Sequence, residues 1–386
     1  MLKRGVLLIG FLSTFSLSLA QHHEAAAETK PATETKVVSA EEAEKEQIKK
    51  ENKEFIDHHL LDAHSFDIMV EKKADGTEDH WGFPLPVIFY DEANGLHAFM
   101  SSEFHHGKEM KDAHGKKYNV VESKGANYAL YHEKIVKTDA SGAITLDDHG
   151  HATNAKVLDL SITKSVLMIL CASLLMIVIF GSMARNYKKS PIPTGAGKLF
   201  EPLVIFIRDE IAIPNIGPKY HKYISYLLTI FFFILFLNVF GLLPFGINVT
   251  GNLAITAALA IFTFIITQFT ANRNYWQHIF WMPGLPFLMK LVMIPIELIG
   301  MIIKPFALLI RLFANMSAGH IVIMSLIAMI YYFQNVIAGV AFPFLTFVLY
   351  LLEILVAFLQ AYIFTMLSAV YFGMANEEHH HEEAHH

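Results

Sequence analysis

The sequence predicts an all-α polytopic membrane protein with five crossings and a small strand-containing extracytoplasmic domain at its N-terminus. Of its 386 residues, 53% are hydrophobic and only 17% are charged, a composition that is atypical of soluble proteins. The charges are also uneven, because residues 21–160 hold 27 of the 36 acidic and 16 of the 30 basic side chains. The sequence has no basic stripe, and this excludes a nucleic-acid-binding protein.

The first residues have the pattern of a secretory signal peptide. Lys3 and Arg4 precede an apolar stretch that ends in small residues around Ala20. A first membrane anchor is the alternative, but the apolar core is short for a hydrocarbon layer of roughly 30 Å. We therefore predict that residues 1–20 are a signal peptide.

Two regions of different composition follow. Residues 21–54 are rich in Glu, Ala, Lys and Thr and have almost no aromatic side chain, so they cannot bury enough apolar surface to offset chain entropy. They are predicted to form an acidic linker. Residues 55–160 contain mixed apolar stretches such as 84–90 and 128–131, separated by turn dipeptides. This pattern predicts a small, strand-containing, histidine-rich periplasmic extension.

Histidine is frequent enough to raise the question of a metal site. The tight cluster comprises His58, His59, Asp62 and His64, and no paired cysteine or zinc-protease spacing accompanies it. We predict surface imidazoles, no metal site and no cofactor, with a periplasmic metal-binding or assembly module as the alternative for the extension. The His- and Glu-rich tail, 377–386, is interpreted as a solvated cytoplasmic end.

The membrane part, predicted at 161–376, begins with an uncharged stretch at 165–184, which as a helix is about long enough to cross the bilayer. Seven bases follow in a short loop: Arg185, Lys188, Lys189, Lys198, Arg208, Lys219 and Lys222. The positive-inside rule places this loop in the cytoplasm and residues 21–160 outside, in agreement with the signal peptide. Within the loop, residues 199–213 have apolar side chains at helical spacing and are predicted to lie along the membrane surface.

The next uncharged stretch, 223–271, is too long for one crossing. Turn-forming residues at 241–252 divide it into a hairpin of two spans.

The last third predicts a second and longer hairpin. Apolar stretches at 285–331 and about 342–374 are separated by polar residues and glycine within 332–341. The first would be about 70 Å long as a helix, so it must bend or tilt strongly, with Pro295 and Pro305 as places to bend. The total of five crossings leaves the C-terminus in the cytoplasm.

Ionisable residues inside this hairpin are functional candidates, because charge at membrane depth is costly. They are Glu297, Lys304, Arg311, His320 and Glu353. Glu297, Lys304 and Arg311 are spaced by seven and share a helix face, which Asn315 continues. His320 lies on the opposite face.

Depth in an antiparallel hairpin predicts which of these residues are neighbours. Counted from a turn near residue 336, Arg311 lies beside Gln360, and His320 beside Glu353. Hydrogen bonds that only fasten the two helices together would account for Gln360 and for the His320 and Glu353 pair. They account poorly for Arg311, because no acid lies at its level. A guanidinium that cannot deprotonate implies an anionic partner from another polypeptide.

The stretch from Leu309 to His320, LIRLFANMSAGH, resembles the signature of subunit a of the F-type ATP synthase, the stator subunit of its membrane-embedded rotary motor. The resemblance covers about residues 155–376. Other similar places are 295–297, 304–305, 238–244 and 359–364. The long N-terminal extension departs from the compact family pattern and resembles that of Bacteroidetes-type members.

The resemblance implies a non-catalytic, proton-translocating stator in the bacterial inner membrane. Its partners would be the lipid bilayer, the peripheral-stalk b subunits and the ring of c subunits, whose proton-carrying carboxylate Arg311 would face. A self-contained secondary transporter is the alternative, and it predicts internal repeats and an internal countercharge for Arg311.

The resemblance also assigns the other polar residues. His320 and Glu353 would line the periplasmic half-channel, with Asn315 and Gln360 nearby, and Glu297 would belong to the cytoplasmic exit. Many bacterial members have the acid and the histidine exchanged, and the exchange keeps one imidazole and one carboxylate at the same level.

Overall fold

The computed structural model describes residues 62–377 apart from short gaps. These gaps are 73–77, 113–116, 148–151, 190–191, 193, 196, 244–247, 282–285 and 334–335. The predicted signal peptide, the linker, His58, His59 and the tail after residue 377 lie outside the described residues. These segments and the predicted domain boundaries stay predictions.

In the described part of the extension, antiparallel strands form three sheets. The strands are β1 Ser65–Lys72, β2 Glu78–Pro84, β3 Pro86–Asp91, β4 Gly95–Met100, β5 Lys108–Lys111, β6 Lys117–Ser123, β7 Ala126–Tyr131, β8 Lys134–Lys137 and β9 Leu158–Asp159. The strand orders are β1-β2, β4-β3-β9 and β5-β6-β7-β8, and a short helix, α1, spans Ser102–His105. The predicted strand-containing domain is confirmed.

The core of the extension forms between the inner faces of these strands. Phe89 of β3 and Tyr128 of β7 are fully buried, because alternate residues of a strand point to opposite faces. The hairpin from β3 to β4 turns at Gly95, whose φ of +78° carries no steric penalty for glycine.

The remaining chain is helical. The helices are α2 Lys164–Tyr187, α3 Gly197–Phe206, α4 Ile213–Ile216, α5 Ile224–Leu242, α6 Leu253–Thr270, α7 Arg273–Phe280, α8 Phe287–Phe333 and α9 Val336–Asn376. Among the described residues, the five helices α2, α5, α6, α8 and α9 are long and apolar enough to cross a membrane. This number confirms the five predicted crossings, and α5 and α6 confirm the first hairpin.

The membrane helices pack around α5 and α9. Leu227 and Phe231 of α5 and Phe364 of α9 are fully buried. By contrast, Leu174 of α2 is 62% exposed and Phe269 of α6 is 86% exposed. Exposed apolar side chains of this size are expected where helices contact lipid.

The long hairpin consists of α8 and α9, and one of its boundaries differs from the prediction. α8 is a continuous helix of 47 residues with Pro295 and Pro305 inside it. The sequence predicts a separating segment at 332–341, but α9 begins at Val336 and contains Pro343. Backbone groups at membrane depth must be hydrogen-bonded internally, which keeps the apolar residues before Pro343 helical although proline removes one bond.

The segment predicted as a surface helix, 199–213, is helical but is not one regular α-helix. α3 is followed by a π-helical turn, Ile207–Ala212. A π turn bonds each residue to the fifth along the chain, so it changes which side chains share a face. Leu199 is 68% exposed, whereas Ile207 and Ile211 are fully buried in the core of the membrane part. The apolar residues of this segment therefore do not form one stripe.

Candidate functional site

Two of the predicted polar residues meet where α8 and α9 pack against each other. Asn315 Nδ2 donates a hydrogen bond to Gln360 Oε1 over 2.9 Å. Gln360 is 1% exposed, and its Nε2 has no partner among the described residues. The sequence predicts Arg311 beside Gln360, but the bonded residue is Asn315, one helical turn further along α8. Spacing along a hairpin gives the depth of a residue, whereas side-chain packing sets the rotation of each helix.

Arg311 lies on the outer side of α8. Leu308 and Leu312 are buried at 1% and 0% exposure, whereas Arg311 itself is exposed. Within the described residues, Arg311 forms no ion pair with a carboxylate. A guanidinium at membrane depth is costly without a countercharge, and the described residues supply no carboxylate to Arg311.

His320 and Glu353 line one cavity of about 630 Å³ between α8, α9 and the end of α5. Glu353 is 9% exposed, and the structure records no hydrogen bond between it and His320. His320 Nε2 is buried without a partner in the described part of the chain. The Glu353 carboxylate lies against Gly319, the residue before His320, so the predicted level is correct. Both side chains retain free hydrogen-bonding capacity.

Because Gly319 has no side chain, it leaves the space that the Glu353 carboxylate occupies. A Cβ built on Gly319 would overlap both carboxylate oxygens of Glu353, so any larger residue would displace the side chain. The sequence-based reasoning did not single out Gly319. The available signal was a glycine in the middle of a helix, which is unfavourable by about 1 kcal/mol relative to alanine and therefore often has a packing reason.

The connection between α5 and α6 forms one wall of the cavity through buried polar contacts. Asn248 Nδ2 donates to the carbonyl of Met316 over 3.0 Å. Asn238, which is fully buried, accepts from the Thr250 hydroxyl over 2.9 Å and donates to the carbonyl of Ala357 over 3.1 Å. The sequence predicts Asn248 only as part of a turn. Its contact across 68 residues of sequence was not visible in that local pattern.

A second cavity, of about 180 Å³, lies at the opposite end of the hairpin, and Glu297 and Lys304 both line it. Lys304 Nζ also lies 5.8 Å from the ring centroid of Tyr371. On α8, the residue of this second cavity that is nearest to Arg311 is Lys304, on its N-terminal side. The nearest α8 residue of the first cavity is Met316, on its C-terminal side. Arg311 therefore lies between the two cavities along α8.

The prediction of surface imidazoles is wrong for His64, the histidine of the cluster that the structure describes. Asp62 accepts hydrogen bonds from the Thr163 hydroxyl and from the backbone N–H of Ser165, at the start of α2. His64 is 2% exposed, with its Nε2 2.8 Å from Asp159 and its Nδ1 3.7 Å from Glu133. Burial alone would lower the pKa of His64, but the hydrogen bond to Asp159 and the negative charges of Asp159 and Glu133 outweigh it and raise the pKa to about 9.

Comparison with protein families agrees with this arrangement. A family model described as ATP synthase A chain matches residues 166–373. This range includes Arg311 and the predicted site residues that line the two cavities. A second model, described as a domain of unknown function, matches residues 55–160.

Similar proteins are named as subunit a of ATP synthase. Subunit a 2 of the ATP synthase of Chlorobaculum tepidum is 48% identical over 227 residues, which are 56% of this chain and 64% of that protein. Subunit a of Chloroherpeton thalassium is 49% identical over 238 residues, or 59% and 70% of the two chains. Subunit a of Chlorobium phaeobacteroides strain BS1 is 40% identical over 324 residues, or 79% and 93%. The chain therefore belongs to the ATP synthase A chain family, which is that of subunit a, the non-catalytic proton-channel stator subunit of ATP synthase.

Proposed function

We propose that this chain conducts protons through two half-channels that are separated by Arg311, and that their passage turns a ring of c subunits and drives ATP synthesis or is driven by ATP hydrolysis. The observation that carries the proposal is the position of Arg311. It is exposed on α8 and has no ion-pair partner among the described residues. Along α8 it lies between the cavity of Glu297 and the cavity of His320.

The cavity of His320 and Glu353 is the proposed half-channel on the periplasmic side. It reaches from these two side chains to Ile330 and Pro343, near the turn of the hairpin. An imidazole and a carboxylate in one cavity can accept and release protons in sequence. Asn315, which is hydrogen-bonded to Gln360, lies between Arg311 and Met316, the first α8 residue of this cavity. We assign the pair to holding the inner end of the channel.

The cavity of Glu297 is the proposed exit on the cytoplasmic side. At 1.5 Å per residue, Arg311 is about 14 Å from His320 and about 21 Å from Glu297 along the helix axis. These distances are too long for a proton to pass directly between side chains, because proton transfer needs hydrogen-bond contact. A carrier must take the proton from one cavity to the other, and a carboxylate on a rotating c subunit would do so.

Arg311 would prevent a leak between the half-channels. A fixed cation lowers the pKa of a carboxylate that approaches it, so a c-subunit carboxylate passing Arg311 would be held ionised and could not carry its proton across. Each carboxylate would have to take the long way through the lipid in its neutral form. Net proton flow would thereby require rotation.

The proposed setting is the bacterial inner membrane, with the extension in the periplasm and the C-terminus in the cytoplasm. A stator must resist the torque of the rotor, so we also assign it a contact with the peripheral-stalk b subunits. A self-contained transporter fits less well, because the internal countercharge that it requires for Arg311 is not among the described residues.

The test is ATP-driven acidification of inverted membrane vesicles. Arg311→Ala is expected to abolish acidification. The control is Arg208→Ala, because Arg208 is an exposed arginine paired with Asp209 on the segment before α4 and lies outside both cavities. Acidification at the wild-type rate in Arg311→Ala vesicles, with the complex assembled in normal amount, would overturn the proposal.

The double exchange His320→Glu with Glu353→His tests the proposed periplasmic half-channel. It keeps one imidazole and one carboxylate in the cavity, so acidification should survive better than in either single exchange. If the double exchange were no better than the worse single one, the two residues would not act as a pair.

A further inference from the structure

The extension has an uncharged outer surface on its three-stranded sheet. Alternate residues of β3, β4 and β9 point to that surface, because Tyr90 is paired with both Leu96 and Leu158, and Pro86 with Met100. We refer to the resulting set as the apolar sheet face. Its members are Pro86, Ile88, Tyr90, Leu96, Ala98, Met100, Leu158 and Leu160.

These side chains are not covered by the described chain. Leu158 is 61% exposed, Leu160 57%, Leu96 54%, and Tyr90 and Met100 are each 44% exposed. A contiguous exposed patch of this kind on a soluble domain marks a surface that meets an apolar partner.

The four-stranded sheet provides a contrast within the same domain. Its exposed residues are charged, and they are Lys108, Glu109, Lys111, Lys117, Glu122 and Lys134. A domain surrounded by water would be expected to have charged residues on the outer faces of the three-stranded and the four-stranded sheet alike. The asymmetry indicates that the four-stranded sheet faces water and the apolar sheet face does not.

The apolar sheet face adjoins the first membrane helix. The backbone N–H of Leu160 donates to the carbonyl of Ile88, and that of Ile162 donates to the carbonyl of Pro86. The strand pairing thus continues to within two residues of Lys164, where α2 begins. Exposed apolar side chains follow in the first turns of α2, where Val166 is 37% exposed and Leu170 53% exposed.

The connection between sheet and helix is also fixed in place. Asp62 bonds to Thr163 and Ser165 at the start of α2, and the buried His64 bonds to Asp159 of β9. The sheet is therefore tied, at its Pro86 end, to the N-terminal end of α2.

We infer that the apolar sheet face lies on the lipid bilayer, in the headgroup and outer acyl region of the leaflet next to the N-terminal end of α2. The continuity of the face with the lipid-facing surface of α2 carries the choice of lipid as the partner. Tyr90 fits this position, because tyrosine is enriched where one end of a side chain is apolar and the other is wet.

The test is the accessibility of nitroxide labels in the complete ATP synthase, reconstituted into vesicles of phosphatidylcholine and phosphatidylglycerol. Cys171 is first replaced by alanine, and single cysteines are then introduced as Met100→Cys and Leu158→Cys on the apolar sheet face. Matched controls are Lys111→Cys and Glu122→Cys, on the charged sheet of the same domain.

Oxygen concentrates in lipid, and a nickel chelate stays in water. We expect oxygen to be the stronger relaxing agent at Met100→Cys and Leu158→Cys, and the nickel chelate to be the stronger one at both controls. Dominance of the nickel chelate at all four positions would mean a water-exposed face and would overturn the inference. Exclusion of both agents from the face would mean that protein covers it, and would overturn the inference equally.

This experiment is independent of the proposed proton path. ATP-driven acidification is measured on the same labelled vesicles, and it reports only on the half-channels. A negative outcome of the label-accessibility experiment therefore does not contradict the proposed proton path, and loss of acidification does not contradict the placement of the apolar sheet face on lipid.

Discussion

At the scale of single residues, the size of residue 319 controls where the Glu353 carboxylate can lie. Gly319 directly precedes His320 in the chain, and the carboxylate occupies the space that a Cβ on Gly319 would fill. Because the two titratable side chains have no hydrogen bond to each other in the described structure, their separation depends on this packing. Gly319 is thus a positioning residue for the proposed periplasmic half-channel.

We predict that Gly319→Ala reduces ATP-driven acidification, roughly tenfold or more, since a displacement of about 1 Å at a reacting group can have an effect of that order. The matched control is Gly300→Ala, on the same helix, where an added Cβ meets no atom within 4 Å. Gly300→Ala should acidify normally, because alanine is favourable in a helix.

The second variant separates positioning from misfolding. In Gly319→Ala with Glu353→Asp, the shorter acid no longer needs the space taken by the new methyl group, and part of the activity should return. Equal loss in the single and the double variant would contradict the positioning role.

The sequence predicted the chemistry of the site better than its contacts. The unpaired state of Arg311 follows from a permanent charge with no acid at its level, and the shared cavity of His320 and Glu353 follows from depth alone. The bond between Asn315 and Gln360 did not follow, because it depends on how Leu308 and Leu312 pack. Rotation about the helix axis is a tertiary property that spacing does not encode.

At the scale of elements, His64 fastens the segment before β1 to the strand β9 and to the turn between β7 and β8. Its imidazole is held between Asp159 and Glu133, and its folded pKa of about 9 is above the unfolded value of 6.5. A raised pKa means that folding favours the protonated form, so this contribution to stability is fully present below pH about 6.5 and is lost as the pH rises through about 9. The shift corresponds to a contribution on the order of 3 kcal/mol.

We predict that hydrogen exchange of the backbone at 158–163, measured on the assembled complex and corrected for intrinsic rates, becomes faster as the pH rises from 6.5 to 9.5. His64→Gln should exchange faster at pH 6.5 and lose this pH dependence, because it cannot be protonated. The control is His106→Gln, since His106 is exposed and its replacement should change nothing. Exchange in the wild type that did not vary across this pH range would rule out the charged contact.

The elements themselves divide into those set by local pattern and those set by contacts distant in sequence. Uncharged stretches of membrane-spanning length predicted α2, α5 and α6, because the bilayer fixes both composition and length. The pairing of β3 with β9 could not be predicted, because it joins segments about seventy residues apart in sequence and strand propensity does not choose a partner. The π turn at Ile207–Ala212 was missed for a similar reason, since its buried face is set by neighbouring helices.

At the scale of the whole molecule, charge is distributed unevenly along the chain. Seven bases, among them the exposed Lys189, lie between the last turn of α2 and the start of α5, whereas residues 21–160 hold 27 of the 36 acids. From the positive-inside rule we expect Lys189 in the cytoplasm and the extension in the periplasm. With the five candidate helices of the described chain as the crossings, we expect Glu377, which follows the last of them, on the same side as Lys189.

This orientation predicts a labelling pattern in the Cys171→Ala background. A membrane-impermeant maleimide applied to inverted vesicles should label Lys189→Cys and Glu377→Cys but not Glu92→Cys, which is exposed on the turn between β3 and β4. Spheroplasts should give the opposite pattern, and detergent should make all three reactive, which controls for local shielding. If Lys189→Cys and Glu377→Cys were labelled from opposite sides, the number of crossings between the extension and Glu377 would have to be even. That result would place the cavities of Glu297 and His320 on sides of the membrane other than those the proton path requires.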